Sequence, residues 1–189
     1  SSCIYPLQAE NPIKEDYFMD GKLEPTNSPY AMAKLTAIEL GRSINKQFGH
    51  QVLNLMPTNL YGPNDYFNFE HSHVIPGLLS RMHKAKIDND EKFFIWGSGS
   101  PFREFLYVDD LSNAIEFLLD KNLNIDLLNV GSGHEITIKN LSELIKKTIG
   151  YEGELAFDKN IPDGNPRKLL DSKLINKLGW KPATTLEIG

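Results

Sequence analysis

Tyr30 and Lys34 stand four residues apart in Asn27-Ser28-Pro29-Tyr30-Ala31-Met32-Ala33-Lys34, so a helix there places a phenol and an ammonium on neighbouring turns. A free tyrosine has a pKa of about 10, too high to exchange protons readily near neutrality, and a nearby cation favours the phenolate. The pair therefore suits general acid–base work, with Tyr30 as the proton carrier and Lys34 as its tuner. Asn27 or Ser28 suits the cap, Pro29 the first helical position, and Ala31, Met32, Ala33 and Leu35 continue the helix. The spacing alone discriminates little. With seven Tyr and sixteen Lys in 189 residues, such a pair arises by chance in about every second chain.

The elements that must position the pair read as alternating helices and strands. A Pro-bearing, charged loop at 7–26, with a short helix around Ile13–Met19, leads to a helix from about Tyr30 to Phe48, stopped by Gly49. A strand at 51–56 ends in turn chemistry at Pro57–Pro63, and a polar, aromatic loop covers 64–72. Val74–Lys86 reads as a helix with Pro76 in its first turn. Strands follow at Lys92–Trp96 and Arg103–Val108, with a Gly97–Pro101 turn between them. Asp109 or Asp110 caps a helix to about Lys121, and a strand at Leu127–Val130 comes next. Thr137 caps a helix to Ile149 with Gly150 beyond, Glu154–Phe157 reads as a strand, 158–168 as a loop, and Asp171–Leu178 as a helix closed by Gly179. Ser1 to Pro6 reads as the end of a strand entering a loop. The class is α/β with a largely parallel sheet, and both ends read as cut.

Composition bounds the function. A 21.4 kDa chain, 40% hydrophobic and 24% charged, describes a soluble globular protein, and its net charge of -5 argues against a general nucleic-acid binder. No apolar run approaches the ~18 residues of a membrane span and no signal peptide opens the chain, so no membrane partner is expected. One cysteine excludes an internal disulfide and fits a reducing cytoplasm. Only four Arg accompany the sixteen Lys, which makes each a candidate for bidentate phosphate or carboxylate recognition. Gly97/Gly99 and Gly131/Gly133 each lack the third glycine of a dinucleotide loop, having Phe102 and Ile136 there. His50, His71, His83 and His134 read as surface residues, and no metal-ligand spacing is present.

Several stretches in order carry a resemblance: Ser1-Ser2-Cys3-Ile4-Tyr5-Pro6, Glu24-Pro25-Thr26-Asn27-Ser28-Pro29-Tyr30-Ala31-Met32-Ala33-Lys34, Met56-Pro57-Thr58-Asn59-Leu60-Tyr61-Gly62-Pro63, Ser72-His73-Val74-Ile75-Pro76, Trp96-Gly97-Ser98-Gly99, Arg103-Glu104-Phe105 and Pro162-Asp163-Gly164-Asn165-Pro166-Arg167-Lys168. This set resembles the extended short-chain dehydrogenases/reductases, and among them the GDP-L-fucose synthase family of GDP-4-keto-6-deoxy-D-mannose 3,5-epimerase/4-reductases. The resemblance implies the carboxyl-terminal portion of an extended Rossmann fold, a doubly wound parallel sheet with a small α/β substrate-binding domain, lacking the amino-terminal glycine-rich half. Residues 1–63 then form the catalytic edge of the Rossmann domain and 64–189 mainly the substrate-binding domain, with some segments returning to the sheet.

Residue by residue, the resemblance implies that Ser1 hydrogen-bonds the substrate C4 oxygen, that Tyr30 protonates it as NADPH delivers hydride to C4, and that Lys34 binds the nicotinamide ribose. Ser1, Ser2, Lys34, Pro57, Thr58, Asn59, Leu60 and His73 then line the NADP(H) site. Cys3 and His73 match a base and acid for inversion at C3 and C5, whose protons are acidic because each carbon is alpha to the C4 ketone. A thiol and an imidazole are chemically suited to this exchange near neutral pH. Arg81, Trp96, Arg103 and Asp163 match contacts to the GDP-sugar. Taken singly, Cys3 also reads as a small buried hydrophobe, His73 as a helix-terminal or solvated histidine, and Asp163 as a turn former between Pro162 and Gly164. A homodimer is expected on the resemblance. Another nucleotide-sugar epimerase or reductase, and an inactive fragment or sugar-nucleotide-binding module, are the competing readings.

Overall fold

The computed structural model describes residues 1–69 and 72–189. In chain order the elements are α1 (Ser28–Phe48), β1 (Asn54–Pro57), β2 (Asn59–Tyr61), α2 (Val74–Asp88), β3 (Lys92–Trp96), β4 (Phe102–Tyr107), α3 (Val108–Leu119), β5 (Leu127–Val130), β6 (Glu135–Thr137), α4 (Ile138–Ile149), β7 (Glu154–Asp158), β8 (Arg167–Lys168) and α5 (Lys173–Lys177).

β1 and β5 pair in parallel, and all four residues of β5 are buried, as a strand covered on both faces requires. One face carries Met56 and Leu127 against Leu35 and Ile38 of α1; the other carries Leu128 and Val130 against Ala114 and Leu118 of α3 and Ile175 of α5. That is the doubly wound arrangement. β4 pairs in parallel with β2 and β8 and antiparallel with β6, while β3 pairs in parallel with β7. A third core, with Leu78 and Met82 of α2, Ile95 of β3, Phe105 of β4 and Leu141 and Ile145 of α4, fills this second region.

Several local expectations change. Ser1–Pro6 forms no strand end: Ser2–Ile4 is a 3-10 turn, with Ser1 Oγ accepting the Cys3 N–H at 3.4 Å. α1 starts without a side-chain bond from Asn27. Instead a 3-10 turn at Pro25–Asn27 leads in, with Glu24 accepting the Thr26 N–H at 3.1 Å and the Asn27 N–H at 2.9 Å. The expected turn after Pro57 contains β2, because Asn59 to Tyr61 run in register with Phe105 to Tyr107. α3 begins at Val108, and Asp110 accepts the Ala183 N–H at 3.1 Å and the Thr184 N–H at 2.9 Å rather than capping its own helix. Thr137 caps α4 as expected, Oγ1 accepting the Asn140 N–H.

Candidate functional site

Helix geometry brings the opening pair together. Lys34 Nζ lies 5.3 Å from the Tyr30 ring centroid, and Tyr30 is 46% exposed. The 3-10 turn carrying Ser1, Ser2 and Cys3 packs beside α1, with Ile4 and Tyr5 in the core that holds Leu35. Ser1 lies near the carboxyl end of β1, its nitrogen 3.7 Å from Met56 Sδ, and Cys3, Lys34 and Lys168 all stand within electrostatic reach of it. Ser2 is buried and Cys3 half-buried. Pro57–Leu60 leaves β1 at the same end. Thr58 donates its N–H to the Val130 carbonyl at 3.1 Å, and Thr58 Oγ1 and Asn59 Nδ2 donate to the Glu104 carbonyl at 3.1 and 2.9 Å. Leu60 packs into the core around Leu106.

The remaining site residues gather in a cleft of about 200 Å³ lined by His73, Arg81, Trp96, Arg103 and Asp163. His73 occupies the position before α2, exposed and making no side-chain cap bond. Arg81, two turns further on, donates Nε–H to the Gly77 carbonyl at 3.1 Å. Its guanidinium carbon lies 4.5 Å from the Trp96 ring centroid and 5.6 Å from that of Phe93. Arg103 donates to the Phe102 and Asn165 carbonyls, both at 2.7 Å. Burial pulls both guanidiniums below the usual arginine value, with Asp163 opposing it at Arg103. Trp96, 53% exposed, keeps ring surface open to a ligand.

Asp163 joins the late Pro-Asp-Gly segment to the Trp-Gly-Ser-Gly turn. Its oxygens accept the Ser98 hydroxyl at 2.6 Å and the Ser98 N–H at 2.9 Å, and these bonds, ahead of the Arg103 charge, hold the carboxyl below its usual range. Gly97 is required here: its φ is +80°, and a Cβ would lie 2.3 Å from Asp163 Oδ1. Gly131 has a comparable reason, since a Cβ would meet Glu104 Oε1 at 2.4 Å. Gly97 and Gly131, the first of each incomplete pair, are therefore set by packing.

β4 connects the two groups of residues. Arg103 is in register with Lys168 of β8, and the Lys168 ammonium, half-buried, has Cys3, Arg103 and Glu24 as charged or polar neighbours. Glu104, on the opposite face, is 0% exposed and accepts the Gly133 N–H at 2.7 Å and the Leu170 N–H at 3.0 Å. Lys168, Glu104 and Ser98 have no role that the sequence alone points to. Nothing in their types marks them, and only strand pairing brings Lys168 beside Arg103. His50, His83 and His134 are exposed as expected, whereas His71 lies outside the described residues. Among the described residues no cluster of three His, Cys, Asp or Glu is arranged to hold a metal, and no helix is long and apolar enough to cross a membrane.

Known proteins share this fold. The chain is 50% identical over 189 residues to a probable GDP-L-fucose synthase 1 of Oryza sativa subsp. japonica, an alignment covering 100% of this chain and 58% of that protein. Among solved structures, a GDP-L-fucose synthetase from Naegleria fowleri bound to NADP superposes with a TM-score of 0.90 at 29% identity, over 98% of this chain and 60% of that one. A GDP-mannoheptose C4 reductase from Campylobacter jejuni with NADP bound gives 0.85 at 30% identity, over 100% and 62%. The chain thus spans a little under two thirds of the length of these relatives. Residues 1–131, from the Ser1–Cys3 turn through α1 to the end of β5, match the family model as well, and the chain belongs to the NAD dependent epimerase/dehydratase family.

Proposed function

We propose that this chain is the catalytic edge, residues 1–63, and the substrate-binding part, mainly residues 64–189, of an NADP(H)-dependent enzyme. It inverts GDP-4-keto-6-deoxy-D-mannose at C3 and C5 and reduces it at C4 to GDP-L-fucose. The observation that carries this reading is the place of Cys3. It shares one 3-10 turn with Ser1, whose nitrogen has both Cys3 and Lys34 within charge range, so a thiol stands where a plain C4 reductase has no use for one.

The residues fit the nicotinamide end of NADP(H), the cofactor carried by solved relatives. Ser1, Ser2, Lys34 and Pro57–Leu60 gather at the carboxyl ends of β1 and β5, where α/β sheets receive ligands. When bound, NADPH supplies the hydride for C4.

Arg81 and Arg103 hold the diphosphate, their forks suited to its oxygens, and Trp96 offers a flat apolar face to the nucleotide. Ser1 and Tyr30 hydrogen-bond the C4 oxygen and polarise the ketone. With the ketone polarised, Cys3 removes a proton from the neighbouring carbon, and His73 returns one to the opposite face. Tyr30 finally donates its proton to the C4 oxygen, with Lys34 favouring the phenolate left behind. Met32 and Leu40, two turns apart on α1 and exposed, support a homodimer built through that helix.

The test uses a polypeptide of the relatives' length in deuterated water. Tyr30→Phe is expected to lose reduction by about 10²-fold or more while keeping deuterium entry at C3 and C5. Cys3→Ser is expected to lose the deuterium entry. Exchange at full rate in Cys3→Ser with reduction abolished overturns the assignment, and faster turnover of a UDP-linked than a GDP-linked keto sugar overturns the substrate.

A further inference from the structure

Three pieces of chain meet at the Arg103 side of the cleft: the turn at 96–101, β4, and the segment 162–165 between β7 and β8. Arg103, read above as a diphosphate ligand, uses one nitrogen on the backbone. Its Nη1 donates to the Phe102 and Asn165 carbonyls, both at 2.7 Å, which leaves Nε and Nη2 as donors for phosphate oxygens. The Phe102 carbonyl belongs to the residue next to Arg103 on its own strand. The Asn165 carbonyl belongs to the segment 162–165, and a Cβ on Gly164 of that segment would stand 3.4 Å from Nη2. The aim of the fork therefore depends on where this segment lies.

Backbone bonds fix the segment at its two ends. Phe102 N–H donates to the Pro166 carbonyl at 2.9 Å on one side, and Ile161 N–H to the Asp158 carbonyl at 3.3 Å on the other. Between them the hold comes from Ser98. Its hydroxyl donates to Asp163 Oδ2 at 2.6 Å and its N–H to Oδ1 at 2.9 Å. The same hydroxyl accepts the Ser100 N–H at 3.1 Å, which ties it to the turn that carries Trp96. Gly97, at φ +80°, lets that turn present both Ser98 donors to one carboxylate. Each Asp163 oxygen thus already holds a donor from Ser98, as a strut between two segments would.

We propose that Ser98 is a positioning residue for diphosphate binding, holding the segment 162–165 through Asp163 so that the Asn165 carbonyl aims the Arg103 fork into the cleft. Neither Ser98 nor Asp163 touches the nucleotide, which sets Asp163 apart from the direct GDP-sugar contact that the family resemblance implies. The proposal rests on the reading of Arg103 as a diphosphate ligand.

The test is a double-mutant cycle on GDP binding, measured by calorimetry in a polypeptide of the relatives' length. Ser98→Ala removes the hydroxyl and keeps the N–H; it is expected to weaken GDP binding about 3- to 10-fold. Asp163→Ala removes both bonds and is expected to weaken it about 10- to 30-fold. Asp163→Asn keeps an oxygen for the Ser98 N–H and offers an amide donor that the Ser98 hydroxyl can accept, so affinity is expected within about 2-fold of the parent. In an Arg103→Met background, Ser98→Ala is expected to change GDP binding by less than about 2-fold. Arg103→Lys, which keeps a charge without the fork, serves as that background if the Met variant melts early. A Ser98→Ala effect as large without the guanidinium as with it overturns the positioning role, because general loosening of the cleft or a direct contact would persist there. Parent affinity in Ser98→Ala overturns it as well. Asp163→Asn as weak as Asp163→Ala assigns the carboxylate to the ligand and overturns the strut. If the parent binds UDP more tightly than GDP, the proposed substrate fails, while the same cycle run with UDP still decides whether Ser98 acts through Arg103. A parent that binds neither nucleotide overturns both.

Discussion

Removing the Glu104 carboxylate tests how far one buried side chain holds the two parts of the site together. Its oxygens accept the Gly133 and Leu170 N–H groups, and the residue is 0% exposed. Glu104→Ala leaves both donors without their acceptor, at about 1–3 kcal/mol each, and opens a small cavity besides. A total of about 3–5 kcal/mol follows, which for a chain of this size lowers the melting temperature by about 6–20 °C. Glu104→Gln keeps the shape and one acceptor oxygen but turns an amide N–H toward the second donor, so about 1–3 kcal/mol is lost. The pH dependence adds a sign. Burial, outweighing the hydrogen bonds, raises the Glu104 pKa above 4.5, so the folded chain holds this proton more tightly than the unfolded one. The contribution of this group is therefore fully present below pH 4.5 and declines as pH rises through the folded value. Thermal melts followed by circular dichroism across pH 4 to 8 should show the gap between parent and Glu104→Gln widest at the acid end. A melting point for Glu104→Ala within about 2 °C of the parent, or a gap that widens with pH, refutes this account.

Gly97→Ala places a Cβ 2.3 Å from Asp163 Oδ1 at a φ of +80°; it is expected to lower stability by about 1–3 kcal/mol and to weaken GDP binding by calorimetry. Gly133→Ala, at φ +74° with nothing within 4 Å of the added carbon, carries only the conformational cost of about 1 kcal/mol and leaves GDP binding unchanged; equal effects at the two glycines would contradict the latch role of Asp163. Trp96→Ala removes the ring stacked on Arg81 and is expected to weaken GDP binding about 3- to 30-fold, with an unchanged affinity excluding Trp96 from the nucleotide site.

The parts of the fold that were legible in the sequence are those with strong local signals. α1 ends at Gly49 and α4 opens at Thr137 because an αL glycine and a capping hydroxyl act within one turn of chain. The two strands hidden in expected turn and loop, β2 and β8, are three and two residues long; neither has room for an alternating pattern, and both exist only because β4 offers them a partner. Ser1–Pro6 departs from a strand end for a related reason. Short polar residues before an apolar pair suit a strand end, but Ser1 Oγ takes the Cys3 N–H and closes a 3-10 turn instead. For the candidate site, residue type draws attention where chemistry is rare: one Cys and four Arg in the chain make Cys3, Arg81 and Arg103 candidates. Lys168 is one of sixteen lysines and Glu104 one carboxylate among many, so neither was visible before packing gave each its neighbours.

β4 shows why those two belong together. Successive side chains of a strand point to opposite faces, so Arg103 meets the Asn165 carbonyl and the Lys168 register position on one side while Glu104 enters the interior on the other. The Glu104 backbone carbonyl also accepts from Thr58 and Asn59, in the segment proposed to line the nicotinamide, and its carboxylate holds Leu170, two residues beyond Lys168. One residue thus sets the spacing between the cofactor side and the sugar-nucleotide side. A shift of β8 away from β4 would move Lys168 away from Arg103. Glu104→Gln is expected to weaken GDP binding by calorimetry in proportion to its loss of stability, whereas Asn59→Ala, which removes one donor to the Glu104 carbonyl and spares its carboxylate, leaves GDP binding unchanged. Weakened binding in Asn59→Ala with none in Glu104→Gln would show that the brace runs through the backbone carbonyl and not through the carboxylate.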